Sequence, residues 1–249
     1  IDESVIDEAV RRVLRVKFEL GLFENPYIDV EHTKAVVGCP EFMEEGWQAQ
    51  LKSVVMLKNH THILPIQKRL KVYIPNRDVP EWRDFWRHIH PATTICPIPS
   101  SIANRYFECV STPEEADMAI VFIASPNSGC GYILEEAKEG KGNGYHPISL
   151  QYEDYTSTLG RDTSIAGGDP FEDFTNRTYN GKACKTVNRN DMLLVQNTKK
   201  ALGEKPVVVI VNLSKPMIMK EIEPFADALF VTFDVQNQAV LQKPKPLNL

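Results

Sequence analysis

Glu139 stands directly before three glycines, Gly140, Gly142 and Gly144, in the stretch EGKGNGYHPISLQY over residues 139–152. Glycine lets the backbone approach a ligand closely and take angles that other residues resist. Lys141, Asn143, Tyr145 and His146 lie among or just after these glycines. Together they offer an ammonium, an amide, an aromatic face and an imidazole, which suits a neutral polyhydroxy ligand such as a sugar. A phosphate cradle instead needs a glycine-rich turn running straight into a helix N-terminus. The spacing here is G-x-G-x-G, neither the Walker nor the dinucleotide pattern. No Lys-Ser or Lys-Thr follows it, and YHPISLQY, with Pro147 and alternating apolar residues, does not open a helix. Nucleotide binding is therefore disfavoured, while a surface loop without a ligand stays open beside the sugar reading.

Three acids, Glu135, Glu136 and Glu139, reach the same loop. A carboxyl that must give a proton near neutral pH needs its pKa raised by burial or by a second carboxylate. Glu139 borders the glycines, and Glu136 falls on a short helical turn. For each acid taken alone, the plainer reading is a solvated surface group. Metal chemistry has no comparable signal. Cys39, Cys96, Cys109, Cys130 and Cys184 are widely spaced without a C-x-x-C pair, so neither a zinc site nor a disulfide framework is expected. His88 and His90 are two apart, a spacing that does not converge on one helix face. No metal and no cofactor are expected.

The elements that would position this loop follow from apolar periodicity. Residues 1–20 read as an amphipathic helix, with Ile6, Val10, Val13, Leu14 and Phe18 at three- and four-residue steps and Gly21 as its glycine cap. A second helix is expected from about Glu41 to Leu57, with Pro40 in its first turn. A short strand follows at about 70–75. Pro80–His90 has the spacing of a third helix, with Trp82, Phe85, Trp86 and Ile89 as a core-facing stripe. Thr112-Pro113-Glu114-Glu115 has the form of a capping box opening a very short helix. MAIVFIA at 118–124, PVVVIVNL ending at Leu213, and ALFVTF at 228–233 are apolar runs of the kind found in strands buried on both faces. DMLLVQNTKKAL and KPMIMKEIEPF supply the intervening helices, and residues 153–190 read as a long surface excursion with a short hairpin. Strand, helix, strand with short connections predicts a parallel sheet. Ligands of such sheets bind beyond the carboxyl ends of the strands, where the glycine loop leaves 118–124.

The chain has 249 residues, 43% hydrophobic and 24% charged, and a formal net charge of −5. Nothing in that balance points to nucleic acid or to a membrane surface, and no apolar run approaches the roughly 18 residues of a membrane span. The opening, IDESVIDEAV, lacks a Met. It is expected to be an interior stretch of a longer protein.

RRVLRVKFELGLFENPYID resembles the last barrel helix and exit of the family 3 glycoside hydrolases, the β-glucosidase-type enzymes. SVVMLKNHTHILPI resembles their linker, in which a helix ends in Leu-Lys-Asn before Leu-Pro. KPVVVIVNLSKPMIMKEIEPFADALFVTFDVQNQAVL resembles the late strand-helix-strand of their second domain, and the three stretches come in the family's order. The resemblance covers residues 1–69 and 113–241. It implies a (β/α)8 barrel followed by an α/β sandwich, of which this chain would hold residues 1–31 as the last barrel helix and exit, 32–69 as a linker with its helix, and 70–249 as the sandwich, incomplete at its C-terminal end. The fold class expected is thus α/β, a three-layer α/β sandwich with a mostly parallel sheet behind a remnant barrel helix.

The same resemblance implies cleavage of terminal β-linked sugars, with a glycoside or oligosaccharide as substrate and the absent barrel as partner. It also implies a periplasmic or secreted location. The family's nucleophile is an aspartate in a Ser-Asp-Trp-like barrel motif, which nothing here matches. Its acid/base is commonly a glutamate on a loop of the second domain, the role implied for Glu139 or, failing that, Glu136. Lys141, Asn143, Tyr145 and His146 would bind substrate. Two departures stand out: the second-domain Glu-Gly-x-Asp-Arg of many relatives is missing, and QKPKPLNL replaces the usual Pro-Ser-Gly continuation. A non-catalytic carbohydrate-binding or scaffold domain is the alternative.

Overall fold

The computed structural model describes residues 2–60, 62–83, 86, 88–129, 131–132, 134–139, 145–161 and 178–242. The chain divides into two compact units, Ile1–Trp47 and Gln48–Leu249.

In the first unit, helix α1 spans Glu3–Glu19, capped by the Asp2 side chain, which accepts the Ser4 N–H at 2.9 Å. Its C-terminus closes as the glycine at position 21 predicts. Gly21 takes φ +66°, its N–H donates to the Phe18 carbonyl at 2.9 Å, and the Leu22 N–H reaches back to Lys17 at 3.1 Å. Val10, Leu14 and Phe18, the expected apolar stripe, are exposed. Helix α2, Val30–Val36, is capped by Asp29 and was not expected, because its seven residues carry too little apolar pattern. Helix α3, Pro40–Ser53, carries the chain into the second unit.

That second helix ends earlier than its periodicity predicts. The Ser53 hydroxyl bonds back to the Ala49 carbonyl, and β1, Val55–Asn59, then runs antiparallel to the last strand of the sheet. A helical spacing of Leu51, Val54 and Val55 loses here to β-branched residues beside an open strand edge.

Beyond β1 come β2 (Lys71–Tyr73), β3 (Arg77–Val79), β4 (Trp82–Arg83), β5 (Ile89–His90), β6 (Thr93–Ile95), helix α4 (Ser100–Ala103), β7 (Glu108–Val110) and β8 (Met118–Ala124). After β8 follow α5 (Leu134–Lys138), β9 (Tyr155–Thr156), β10 (Ala183–Cys184), α6 (Arg189–Leu202), β11 (Val207–Asn212), β12 (Ala228–Thr232) and α7 (Asn237–Gln242). The main sheet has six strands in the order β1-β12-β11-β8-β2-β7. Every pairing except β1 with β12 is parallel, so the four strands read from the sequence share one sheet. The architecture is an α/β sandwich with a mostly parallel sheet.

Alternation along the strands splits the core into two layers. Met118 and Ile120 of β8, Val208 and Ile210 of β11, and Phe230 of β12 pack with Ala103, Val240 and Leu241 on one face. Ala119, Val121 and Ile123, with Val207, Val209, Val211, Leu229 and Val231, pack with Met192, Val195 and Leu202 of α6 on the other. Both faces are covered, which is why these strands are apolar without interruption.

Three helical expectations fail. Trp82 and His90 pair in an antiparallel β4–β5 hairpin, with rings stacked at 4.0 Å, in place of a helix over Pro80–His90. Trp82, Trp86 and Ile89 are exposed rather than core, and Phe85 lies outside the described residues. Thr112–Glu115 forms turns. Asp117 explains this, because its N–H donates to the Lys71 carbonyl and its carboxylate accepts the Lys71 N–H at 2.9 Å, drawing the chain straight into β8. KPMIMKEIEPF forms two single 3-10 turns, Met219–Glu221 and Glu223–Phe225; Pro224 cannot donate the bond that a continuous helix needs. The surface excursion does contain the short hairpin, β9 against β10, although residues 162–177 lie outside the described residues.

Candidate functional site

β8 ends at Ala124, and the chain leaves the sheet at its carboxyl edge. Ser125 is still held there: its N–H donates to the Asn212 carbonyl at 2.9 Å and its hydroxyl pairs with that of Ser214 at 3.1 Å. The Asn127 N–H donates to Oδ1 of Asn188 at 2.7 Å, and its carbonyl accepts the Val187 N–H at 2.7 Å. Its own Oδ1 accepts from Gly129, whose φ of +74° favours glycine.

The chain comes back along itself. Tyr132 and Tyr145 form an antiparallel bridge with rings 4.7 Å apart, and the His146 N–H donates to the Gly131 carbonyl at 3.0 Å. Within this closed excursion sits α5. Glu139 extends its turn, donating its N–H to the Glu135 carbonyl at 2.9 Å, and is exposed. Past His146 the chain re-enters the body. Pro147 and Ser149 are buried, and the Ser149 N–H donates to the Ser128 hydroxyl at 2.7 Å. Tyr152 is fully buried and donates its hydroxyl to the Ala124 carbonyl at 2.5 Å. Residues 125–129 and 147–152 thus form a neck beneath the excursion.

A polar network lies under this neck. Asp191, in the first turn of α6 and 1% exposed, takes a two-pronged ion pair from Arg77, Nε to Oδ1 at 2.7 Å and the second nitrogen to Oδ2 at 2.9 Å. Its Oδ2 also accepts from the Asn188 amide at 2.9 Å and from the Ala124 N–H at 3.3 Å. Asn188 spends the same amide on the Ser125 carbonyl at 3.1 Å. On the returning side the Glu221 carboxylate accepts two successive backbone N–H groups, Tyr152 at 2.6 Å and Glu153 at 3.0 Å. A carboxylate that spans adjacent N–H groups is a strong, directional anchor. Burial, and next the Asp191 carboxylate, push the Tyr152 phenol well above its ordinary range; Arg77 opposes this and Glu221 adds to it. The phenol therefore stays a donor throughout the physiological range. Glu153, at the surface, has its carboxyl held below the usual range by its hydrogen bonds to Arg189, at 2.9 and 2.6 Å.

Two clefts open at this end. One, of about 190 Å³, is lined by Arg77, Phe122, Asn212, Thr232 and Asp234. The other, of about 360 Å³, lies between Asp78, Thr93 and Thr94 on one side and Asn188 and Asn190 on the other. Among the described residues no group of three His, Cys, Asp or Glu side chains could hold a metal ion.

Of the residues singled out from the sequence, Glu139, Tyr145 and His146 share the one excursion. Glu136 lies within α5. Lys141 and Asn143 lie outside the described residues. Arg77, Asn188, Asp191, Tyr152 and Glu221 were not singled out. Asn188 and Asp191 carry the one legible sign, a polar pair at the start of a predicted helix, which reads first as capping. Arg77 is 114 residues from Asp191, and no local pattern joins them.

No protein-family model matches the chain. A protein of Formosa agariphila named as a beta-xylosidase is 30% identical over 245 residues, which is 94% of this chain and 28% of that protein. The periplasmic beta-glucosidase/beta-xylosidase of Dickeya chrysanthemi is 23% identical over 243 residues, 98% of this chain and again 28% of the relative. Among solved structures, a beta-glucosidase from Listeria innocua in complex with isofagomine shares the fold with a TM-score of 0.52 and 20% identity, over 97% of this chain and 31% of that one. The chain therefore spans less than a third of the length of these three relatives. The chain belongs to the family 3 glycoside hydrolases and corresponds to the α/β sandwich part of those longer enzymes.

Proposed function

We propose that this chain is the part of an exo-acting glycoside hydrolase that presents the general acid/base to a terminal β-linked sugar. The observation that carries this reading is the excursion bearing Glu139, which leaves the carboxyl end of a buried parallel strand and is closed at its base by the pairing of Tyr132 with Tyr145. Such an excursion borders the crevice outside the carboxyl ends of the strands, where ligands of parallel sheets bind, and hydrogen bonds in the neck hold both of its ends. In a retaining glycosidase two carboxyls sit about 5–5.5 Å apart. One attacks the anomeric carbon; the other protonates the leaving oxygen and then takes a proton from water. Glu139 takes the second role, and the attacking aspartate comes from a barrel outside this chain. Tyr145 and His146, with Lys141 and Asn143, bind the hydroxyls or ring face of the departing sugar.

Residues 1–31 are read as the last helix and exit of that barrel. Their support is a unit of their own with Val10, Leu14 and Phe18 exposed. A periplasmic or secreted location is in keeping with the named location of the Dickeya relative. Among the described residues no helix is long and apolar enough to cross a membrane.

The test is made in the full-length enzyme. Glu139→Gln slows hydrolysis of a β-linked disaccharide far more than that of a dinitrophenyl glycoside, whose leaving group needs no proton. Azide restores turnover of the dinitrophenyl glycoside by Glu139→Ala, because it replaces the water whose attack needs a base. If Glu136→Gln shows this pattern and Glu139→Gln does not, the role passes to Glu136. If neither does, the reading fails.

A further inference from the structure

We propose that Asp191 and Glu221 are positioning residues for the acid/base group, each holding one end of the segment that bears Glu139 against the carboxyl end of β8. This rests on the role assigned to Glu139 above. The two carboxylates come from different elements, α6 and the 3-10 turn Met219–Glu221, yet they converge on the two ends of one segment. Asp191 acts on the departing end. It orients the Asn188 amide at 2.9 Å, and Asn188 in turn accepts the Asn127 N–H at 2.7 Å and donates to the Ser125 carbonyl at 3.1 Å. Glu221 acts on the returning end through Tyr152 and Glu153. Tyr152 then ties the ends together, since its hydroxyl bonds the Ala124 carbonyl while the Ala124 N–H bonds Asp191.

Ionised carboxylates can only accept hydrogen bonds. Among the described residues the hydrogen-bond partners of these two are donors: the Arg77 guanidinium, the Asn188 amide and the Ala124 N–H at Asp191, and the Tyr152 and Glu153 N–H groups at Glu221. Such charge-assisted bonds are shorter and stronger than neutral ones. A fold that needed only to bury β8 has no use for two of them on the chain that leaves it. A general acid does have such a use. It must sit within about 2.6–3.2 Å of the oxygen it protonates, and a misplacement of about 1 Å can cost on the order of a hundredfold in rate.

The experiment uses the full-length enzyme with cellobiose and dinitrophenyl β-glucoside. Glu221→Gln is the principal variant, because Asp191→Asn leaves Arg77 against a neutral group and risks unfolding. Glu221→Gln keeps its shape but turns one acceptor into a donor that faces a backbone N–H. The expected result is a fall of about tenfold or more in kcat for cellobiose, from displacement of the acid. KM and the rate on dinitrophenyl β-glucoside should stay within about twofold. Amide hydrogen exchange should rise across 125–129 and 147–153, and the double variant with Glu139→Gln should be no slower on cellobiose than Glu139→Gln alone. Equal slowing of both substrates, or additive losses in the double variant, would overturn the proposal and leave Glu221 with a structural role only. An unchanged cellobiose rate for Glu221→Gln beside a slow Glu139→Gln also overturns it, while the reading of Glu139 stands. If Glu139→Gln itself shows no selectivity between the substrates, that reading fails and takes the proposal with it.

Discussion

In β8 five of seven residues, Met118 to Val121 and Ile123, are buried, and every one of them is apolar. In the segment that leaves β8 the buried residues include Ser125, Ser149 and Tyr152, and each of these has a hydrogen-bond partner named above. Adjacent stretches of one chain are thus held by different physics. The strand is held by area removed from water, a non-directional force that tolerates changes of shape. The neck is held by hydrogen bonds that require one geometry. The comparison teaches where precision is placed: in the part that carries the candidate acid rather than in the part that makes the fold stable.

The sharpest way to break the comparison is Asp191→Ala. It leaves the Arg77 guanidinium, 18% exposed, without its partner. Stranding one half of a buried pair costs about 3–5 kcal/mol, to be read from chemical denaturation. A loss below about 1 kcal/mol, the worth of a surface pair, would mean that the network is not an anchor. Ile120→Ala tests the strand itself. Ile120 is fully buried between neighbours in the sheet and its covering helices, and the expected cost is about 2–5 kcal/mol. Its amide exchange pattern at 147–153 should be unaltered until global unfolding, whereas Asp191→Ala should raise exchange there first.

Tyr152→Phe is a smaller probe. It removes the hydroxyl that bonds Ala124 and keeps the buried ring, so about 1–3 kcal/mol should be lost. Protection should fall in the neck and persist in β11 and β12. Trp82→Ala should do almost nothing, because Trp82 is 46% exposed on its hairpin; a change beyond about 0.5 kcal/mol in denaturation would return this residue to the core. The least effect belongs to the surface pair of Glu153 and Arg189. Glu153 has a depressed carboxyl, so the pair's contribution is present above the ordinary carboxylate value, about 4.3, and is lost as pH falls through the lower folded value. Glu153→Gln should therefore lower stability slightly near neutral pH, leave it unchanged below the folded carboxyl value, and so flatten the acid end of the profile.

How much could be read in advance follows the same division. The run 118–124 matches β8 residue for residue, and 207–213 and 228–233 match β11 and β12 to within one residue, because a strand buried on both faces must be apolar at every position. The cap at Gly21 was legible for a related reason: a left-handed residue after an amphipathic helix is a local demand that glycine meets. Trp82, Trp86 and Ile89 misled. Spacing reports which residues could share a helical face, not whether anything lies against that face, and in the hairpin Trp82 meets His90 instead. The pairing of β1 with β12 escaped notice because antiparallel partners 55 and 231 are far apart in the chain.

The sequence by itself determined the elements whose cause is local or periodic: α1 and its cap, α6 with Gly203 after it, and the three central strands, of which β11 and β12 are parallel through the short crossover between them. It also marked the excursion with Glu139, through glycine spacing and polar composition. Only the tertiary structure decided what holds that excursion in place. Arg77 meets Asp191 across 114 residues, and Glu221 reaches the Tyr152 N–H across 69. Such pairs leave no periodic trace, since a charged residue looks the same in sequence whether solvent or a buried partner will face it. Their meaning appears when the sheet brings the carboxyl ends of its strands to one side and excludes water from the chain that leaves them.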